Sequence, residues 1–434
     1  MRLQRTTFLG FITAVIVPVT LVAQTGDRDI AAAVDRFAPA MTEMRHQIHQ
    51  HPELGNREFE TAKLVADYLR SLGLDEVRTG VAHTGVVGVL RGGKPGPVVA
   101  VRADMDALPV TEDTPLPFKS TVRSTYLGQE VGVAHACGHD IHVAVQLGVA
   151  SVLAAMRKDL PGTVLFIFQP AEEGPPPGEE GGAELMLKEG AFAGPKPSAI
   201  FGLHTMASLG VGKVAFTAGP ALAAADQFHV VIHGTQAHGA SPQLSVDPIV
   251  MAAEAILAIQ TIHSRNLPPL EPAVITIGIV RGGQRFNIIP GEVELGGTVR
   301  TYNPAAQDLI ERRMRTILTG ITAAGGGSFD FEYQRIIPAT INDTALTARM
   351  VPTLRRIVGA DNVLRVEPGM VSEDFAYFAR EVPGFYFRLG QVKPGTTSGD
   401  HHTPTYLADD SMIPIGMRAM SALVLDYLKS GAGR

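Results

Sequence analysis

His135, Cys137, His139 and His142 fall within eight consecutive residues, and Cys137 is the chain's one cysteine. A thiolate and imidazoles at this density are soft-to-borderline ligands for a divalent cation. The plain alternative is a helix cap at Asp140 with incidental histidines. Glu172 and Glu173 stand in the segment Gln169–Gly174, which directly follows the apolar run 163–168. Adjacent carboxylates there can divide the labour, one holding metal and its neighbour serving as general base. Taken alone, such a pair reads as a solvated acidic turn. His204 follows the run 198–203, and Asp104 and Asp106 follow the run 98–102. His401 and His402 add imidazoles near the C-terminus; spacing does not choose between them, and a surface pair is equally open. A Cys137 nucleophile with a histidine base is the rival chemistry, but it leaves Glu172, Glu173 and His204 without roles. No His-Glu-x-x-His helix, Gly-x-Ser-x-Gly elbow, phosphate loop or dinucleotide fingerprint is present.

The elements around these residues explain why they could converge. Helical periodicity covers 31–50 and 58–72, and a long helix is expected over about 141–157. Strand-like runs at 85–90, 98–102, 163–168 and 198–203 alternate with helices, predicting a buried, largely parallel sheet. Ligand-type residues then sit past the carboxyl ends of several parallel strands, where open α/β sheets bind ligands. A second pattern begins near Val214. Strands at 228–232, 274–280, 292–299 and 329–333 enclose helices at 247–263 and 304–323, a β-α-β-β-α-β order typical of a ferredoxin-like sandwich. The expectation is an α/β protein: a mostly parallel catalytic domain (31–213 and 334–434) with an inserted ferredoxin-like α+β domain (214–333).

Composition agrees with an enzyme of two domains. The 434 residues exceed what one core usually holds, and 45% hydrophobic with 18% charged residues is globular. A formal charge of −6 without a basic stripe argues against nucleic acid. Arg2 and Arg5, the apolar run 8–23 and Leu21-Val22-Ala23 read as a signal peptide over 1–23. Its removal would leave a charge of −8. An uncleaved anchor is the alternative, weakened by the shortness of the run and by Pro18. The expected location is periplasmic or secreted, with no membrane association after cleavage. A lone cysteine admits no internal disulfide.

The motifs together, over nearly the whole chain after residue 23, resemble the aminoacylase/carboxypeptidase group of dinuclear metallopeptidases. The resemblance is strongest to hippurate hydrolases, N-acyl-amino-acid amidohydrolases and indole-acetyl-amino-acid hydrolases. It is carried by the segments 46–53, 102–109, 135–140, 169–173, 202–204, 237–238, 287–290 and 372–375, in that order. The resemblance implies two divalent ions per subunit, with Cys137 bridging and His139, Glu173, His204 and His402 as further ligands. A bridging thiolate favours Zn, Mn, Co or Ni over Mg or Ca. Glu172 matches the general base and Asp104 a carboxylate that orients the site. His238, on a lid and dimerisation domain, matches an oxyanion-stabilising histidine often donated across a homodimer. Asn287 and Arg300 match positions that hold the substrate carboxylate or carbonyl. The implied reaction is hydrolysis of an N-acyl amino acid. A dipeptidase or carboxypeptidase on the same scaffold and a non-catalytic periplasmic binding protein are the alternatives. One departure from the branch is the long stretch 174–182 after Glu173, expected to reshape a rim of the pocket.

Overall fold

The computed structural model describes residues 19–431, and side chains from residue 26 onward. The expected leader falls on residues 1–18, outside the described residues, and on 19–23, whose side chains are likewise outside. Among the described residues no helix is long and apolar enough to cross a membrane.

In chain order the principal strands are β1 Glu76–Val81, β2 Gly85–Arg91, β3 Lys94–Asp104, β4 Pro161–Gln169, β5 Ile200–Gly210 and β6 Val214–Phe216. They continue as β7 Ala224–His233, β8 Ala273–Gly282, β9 Glu292–Thr301, β10 Ser328–Ile337, β11 Val363–Arg365 and β12 Gly384–Val392. The helices that matter here are α1 Val19–Gln50, α2 Phe59–Ser71, α3 His139–Ala155, α4 Pro248–Arg265, α5 Pro304–Gly325 and α6 Met412–Gly431.

Eight strands form one mixed sheet in the order β1-β2-β4-β3-β5-β12-β6-β11. Its centre, β4-β3-β5-β12, is parallel throughout. These strands bury both faces, and the period-2 alternation divides their residues between two cores. Val99, Val101, Val164, Phe166 and Phe168 meet one core, while Ala100, Leu165, Ile167 and Ile200 meet the other. The first core lies under α1, α3 and α6, which pack on one another. Every residue of α3 from His139 to Leu153 is buried, the condition of a helix apolar on all sides. Its first turn is therefore forced to carry its polar residues inside the protein.

Within the span 214–333, β6 adds to the large sheet beside β12. The second sheet begins at β7 and has the antiparallel order β8-β9-β7-β10. With α4 and α5 on one face this is the expected β-α-β-β-α-β sandwich. Asp247 and Asn303 cap the two helices, each accepting from a backbone N–H at 2.9 Å, and each is followed by proline at the first helical position.

Candidate metal centre

The connection between Cys137 and α3 aims the site. Gly138 has φ +86°, and a Cβ there would lie 2.4 Å from the Tyr406 hydroxyl and 2.7 Å from Thr205 Oγ1. Only glycine takes this turn without strain, and it sets Cys137 on one side and His139 on the other. Two further backbone outliers flank the site: Ala171 (φ +49°), just before Glu172, and His402 (φ +64°). Left-handed non-glycine residues persist only where the surroundings hold them, and they concentrate at functional sites.

Among the described residues five small groups of potential ligands overlap in one place, one of them being Glu172 with Glu373 and Asp374. Cys137 lies with Glu173 and His402, and also with His204 and His401; His139 lies with Glu172 and Glu173, and also with Asp104 and His142. His204 Nε2 is 3.4 Å from Cys137 Sγ. His402 Nε2 is 3.0 Å from Glu173 Oε1, without hydrogen-bond geometry. His139 Nε2 faces Asp104, Glu172 and Glu173 at 3.8–3.9 Å. Both His139 Nε2 and Glu173 Oε1 are buried without a hydrogen-bond partner. Buried polar atoms are nearly always satisfied, so orphaned ligand atoms converging with a thiol fit divalent cations of the borderline kind. The residues fit the group.

An outer ring fixes these side chains. Asp106 accepts from His139 Nδ1 at 3.1 Å and from the Glu173 N–H at 2.9 Å, so one carboxylate positions two ligands. Asp104 works at a distance. It accepts from His142 Nδ1 and from Arg102 Nη1. His142 Nε2 in turn accepts from the Thr205 N–H at 3.0 Å, and the Thr205 carbonyl accepts from His204 Nδ1 at 2.7 Å. That chain sets the His204 tautomer and turns Nε2 toward Cys137. Arg102, wholly buried, also grips Gln169 and Asp374 at 2.8 Å and Glu373 at 2.9 Å, tying β3 and β4 to the floor beneath Glu172.

The electrostatics follow from burial and these partners. Burial, then Glu173 and Glu172, pushes the Cys137 thiol well up; cation binding has to displace that proton, as it does for any thiolate ligand. Burial, then His142, holds His204 well below its usual range, and so neutral and ready to ligate. Against burial, Asp104 and Asp106 hold His139 at about 10. Burial works upward on Asp104, yet His139, His142 and Arg102 pull it well down. Burial with Glu373, Glu173 and Asp374 nearby pushes Glu172 well up. A carboxyl raised in this way is suited to carry a proton.

Cys137, Glu172, Glu173, His204 and His402 line a cleft of about 490 Å³, together with Arg300 from β9 and Arg388 from β12. His139 lies just behind that surface. His238 and Asn287 are not in the cleft. His238 is exposed on a short β-ladder with Ile288, and the half-buried Asn287 lies just before that ladder, where the Gly239 N–H donates to its carbonyl at 2.9 Å. His204 lies within β5 rather than after it. The residues 174–182 fold back on the turn at 56–57, where Arg57 and Asn56 hold Glu179, and they line a separate cavity of about 250 Å³ that shares Glu172 with the cleft. The sequence reading did not single out Arg102 or Thr205, and it placed Asp106 and His142 among the ligand-type residues without giving either an orienting role. Asp106 stands in the same motif as Asp104, but only the fold shows which ligand each one holds.

A family model for peptidases of family M20/M25/M40 matches residues 100–426. An IAA-amino acid hydrolase (ILR1-like 2) of Arabidopsis thaliana is 37% identical over 91% of this chain and 86% of its own length. The thermostable carboxypeptidase 1 of Saccharolobus solfataricus is 37% identical over 89% and 94%. Among solved structures, the YXEP protein of Bacillus subtilis, a dinuclear metal-binding peptidase from the M20 family, superposes with a TM-score of 0.76. It is 32% identical and covers 91% of this chain and 99% of its own.

Proposed function

The chain belongs to peptidase family M20/M25/M40, a family of metal-dependent hydrolases of C–N amide bonds, and on that premise we propose that it cleaves N-acyl amino acids at a dinuclear centre. The observation that carries this reading is the orphaned His139 Nε2 and Glu173 Oε1 beside Cys137, with the raised carboxyl of Glu172 next to them. Cys137 would be shared between two cations, with His139, Glu173, His204 and His402 as the remaining ligands. His401, with a ring nitrogen within 4.8 Å of the Cys137 and His204 ligand atoms, is the alternative to His402 for the closing position. Bound cations would supply Lewis acidity toward the carbonyl and a lowered pKa for water.

Glu172 takes the proton of the attacking water and returns it to the amide nitrogen as the C–N bond breaks, leaving a carboxylic acid and a free amino acid. Arg300 Nη1, which donates to Ser372 Oγ at 2.9 Å, can turn to the substrate carboxylate. His238 and Asn287 would be contributed to the cleft by a second copy of the chain. An exported enzyme fits the sequence of residues 1–23. The similarity to a carboxypeptidase favours a second reading, in which unblocked peptides are the substrates.

The test is turnover by chelated and Zn-, Mn-, Co- or Ni-reloaded protein on benzoyl-, acetyl- and indole-acetyl-amino acids beside unblocked dipeptides. Metal-dependent release of the amino acid from the acylated set supports the proposal. Cleavage confined to the dipeptides selects the second reading, and hydrolysis that survives chelation overturns both.

A further inference from the structure

Arg388 carries a charge that the reaction above does not use. It stands on β12 in direct parallel register with His204 of β5 and is half-buried. Its side chain lines the metal-centre cleft and also a second cavity of about 240 Å³. The two spaces share Leu222, Val371, Asp400 and His401 as well, so the second continues the first. Phe216 and Val366 line it with apolar surface, Thr217 adds a hydroxyl and Glu367 a carboxylate.

The buried arginines elsewhere are neutralised: Arg45 by Asp140 and Asp410, Arg102 by Asp104, Glu373 and Asp374. Arg388 differs. Its guanidinium carbon lies 5.6 Å from the Tyr386 ring centroid, and among the described residues it forms no ion pair within 4.0 Å, although Asp400 and Glu367 share the lining of its cavity. A guanidinium is permanently charged, and half-burying it without a counter-ion is unfavourable unless an anion completes the site. Its pairing in register with His204 and its place in the lining of the cleft set it beside the reacting region rather than at the outer rim. Arg300 enters the same cleft from β9. The reading above gives Arg300 to the first carboxylate of the substrate, which leaves Arg388, on a different strand and facing the side cavity, without an assigned anion.

We infer that Arg388 binds a second carboxylate of the substrate, on the arm that enters the side cavity. Resting on the amidohydrolase reading above, this makes the favoured substrates doubly anionic: amides of an acidic amino acid, or half-amides of a dicarboxylic acid with an amino acid.

Isosteric pairs separate charge from shape. N-acetylglutamate beside N-acetylglutamine tests the amino-acid arm, and N-succinylleucine beside N-succinamoylleucine tests the acyl arm. The metal-loaded protein is expected to favour the charged member of one pair by roughly tenfold to a hundredfold in kcat/KM, the worth of a charge-assisted hydrogen bond. Arg388→Gln should bring that ratio near one, chiefly through KM, and Arg388→Lys should restore part of it. The same ratios in Kd, measured by calorimetry on the Glu172→Gln protein, read Arg388 without turnover. If wild type cleaves no acylated amino acid, the amidohydrolase reading falls while the Kd ratio still judges Arg388. Equal values within both pairs, or an Arg388→Gln protein that keeps the ratio, overturn the inference.

Discussion

Two clusters of ionisable side chains meet at the first turn of α3, and they follow opposite rules. On one side Asp140 accepts from Arg45 Nε at 2.8 Å and from His49 Nδ1 at 2.9 Å; Arg45 also reaches Asp410, and His49 reaches Glu112. On the other side His139 and Glu173 keep ligand atoms without partners, while their outer atoms are held by Asp106. The first cluster is paired through Asp140 Oδ2, with only the other oxygen, Oδ1, left buried without a partner, and its ion pairs fix α1 against α3. The second is satisfied only from behind, which leaves its inner face free for a ligand. His135 stands between them as an exception: it is buried with both ring nitrogens unpartnered, and burial pushes it down to about 4, so it is neutral.

The largest expected effect breaks function and spares the fold. Glu172→Gln should lower kcat by about 10²–10⁴, the usual contribution of a positioned proton carrier, with metal content and melting temperature close to wild type. Metal analysis, calorimetry and steady-state rates check it together; a variant that keeps wild-type turnover removes Glu172 from the mechanism. The complementary change is Arg45→Met. It strips Asp140 of its guanidinium and should cost about 3–5 kcal/mol of stability, as breaking a buried pair does. Denaturant unfolding of chelated protein reads it. If stability is unchanged while metal binding is lost, the two clusters are not separate in the way proposed.

Asp104→Asn sharpens the boundary between them. Asp104 contacts Arg102 and His142, and it reaches His204 only through His142 and Thr205. A positioning role predicts a loss of about 10–100-fold in metal affinity, with partial recovery at raised metal concentration. Competition with a chromogenic chelator would show it, and unchanged affinity would make Asp104 purely structural.

These contrasts also show what the sequence made legible. Parallel strands were readable because burial on both faces gives continuous apolar runs such as 163–168, and the ligand-type residues could be found at their ends. The inserted sandwich was readable from the order of its periods. The short strands β6 and β11 were not, because three residues carry no period and only their partners make them strands. Nor could spacing choose between His401 and His402, since both reach Cys137 and the left-handed turn at His402 is a property of the folded loop. The chain Asp104–His142–Thr205–His204 joins residues up to a hundred positions apart, and pairwise spacing holds no record of it.

The smallest expected effect comes from the paired cluster through pH. Against burial, Asp140 and Glu112 hold the His49 proton, with Arg45 opposing, and raise the group to about 9; the neutral His135 ring lies 6.4 Å away and Phe118 packs at 5.4 Å. An unfolded histidine titrates near 6.5. A folded value above the unfolded one means stabilisation that is complete below about 6.5 and is lost as pH rises through about 9. Glu58, raised by burial to about 8, adds a loss in the same direction between about 4.5 and 8, so wild type alone does not isolate His49. The difference between chelated wild type and His49→Gln does. That difference should shrink by on the order of 1–2 kcal/mol between pH 6.5 and 9. A gap that stays constant across the window would mean that His49 is already neutral in the folded protein, and that Arg45 alone neutralises Asp140.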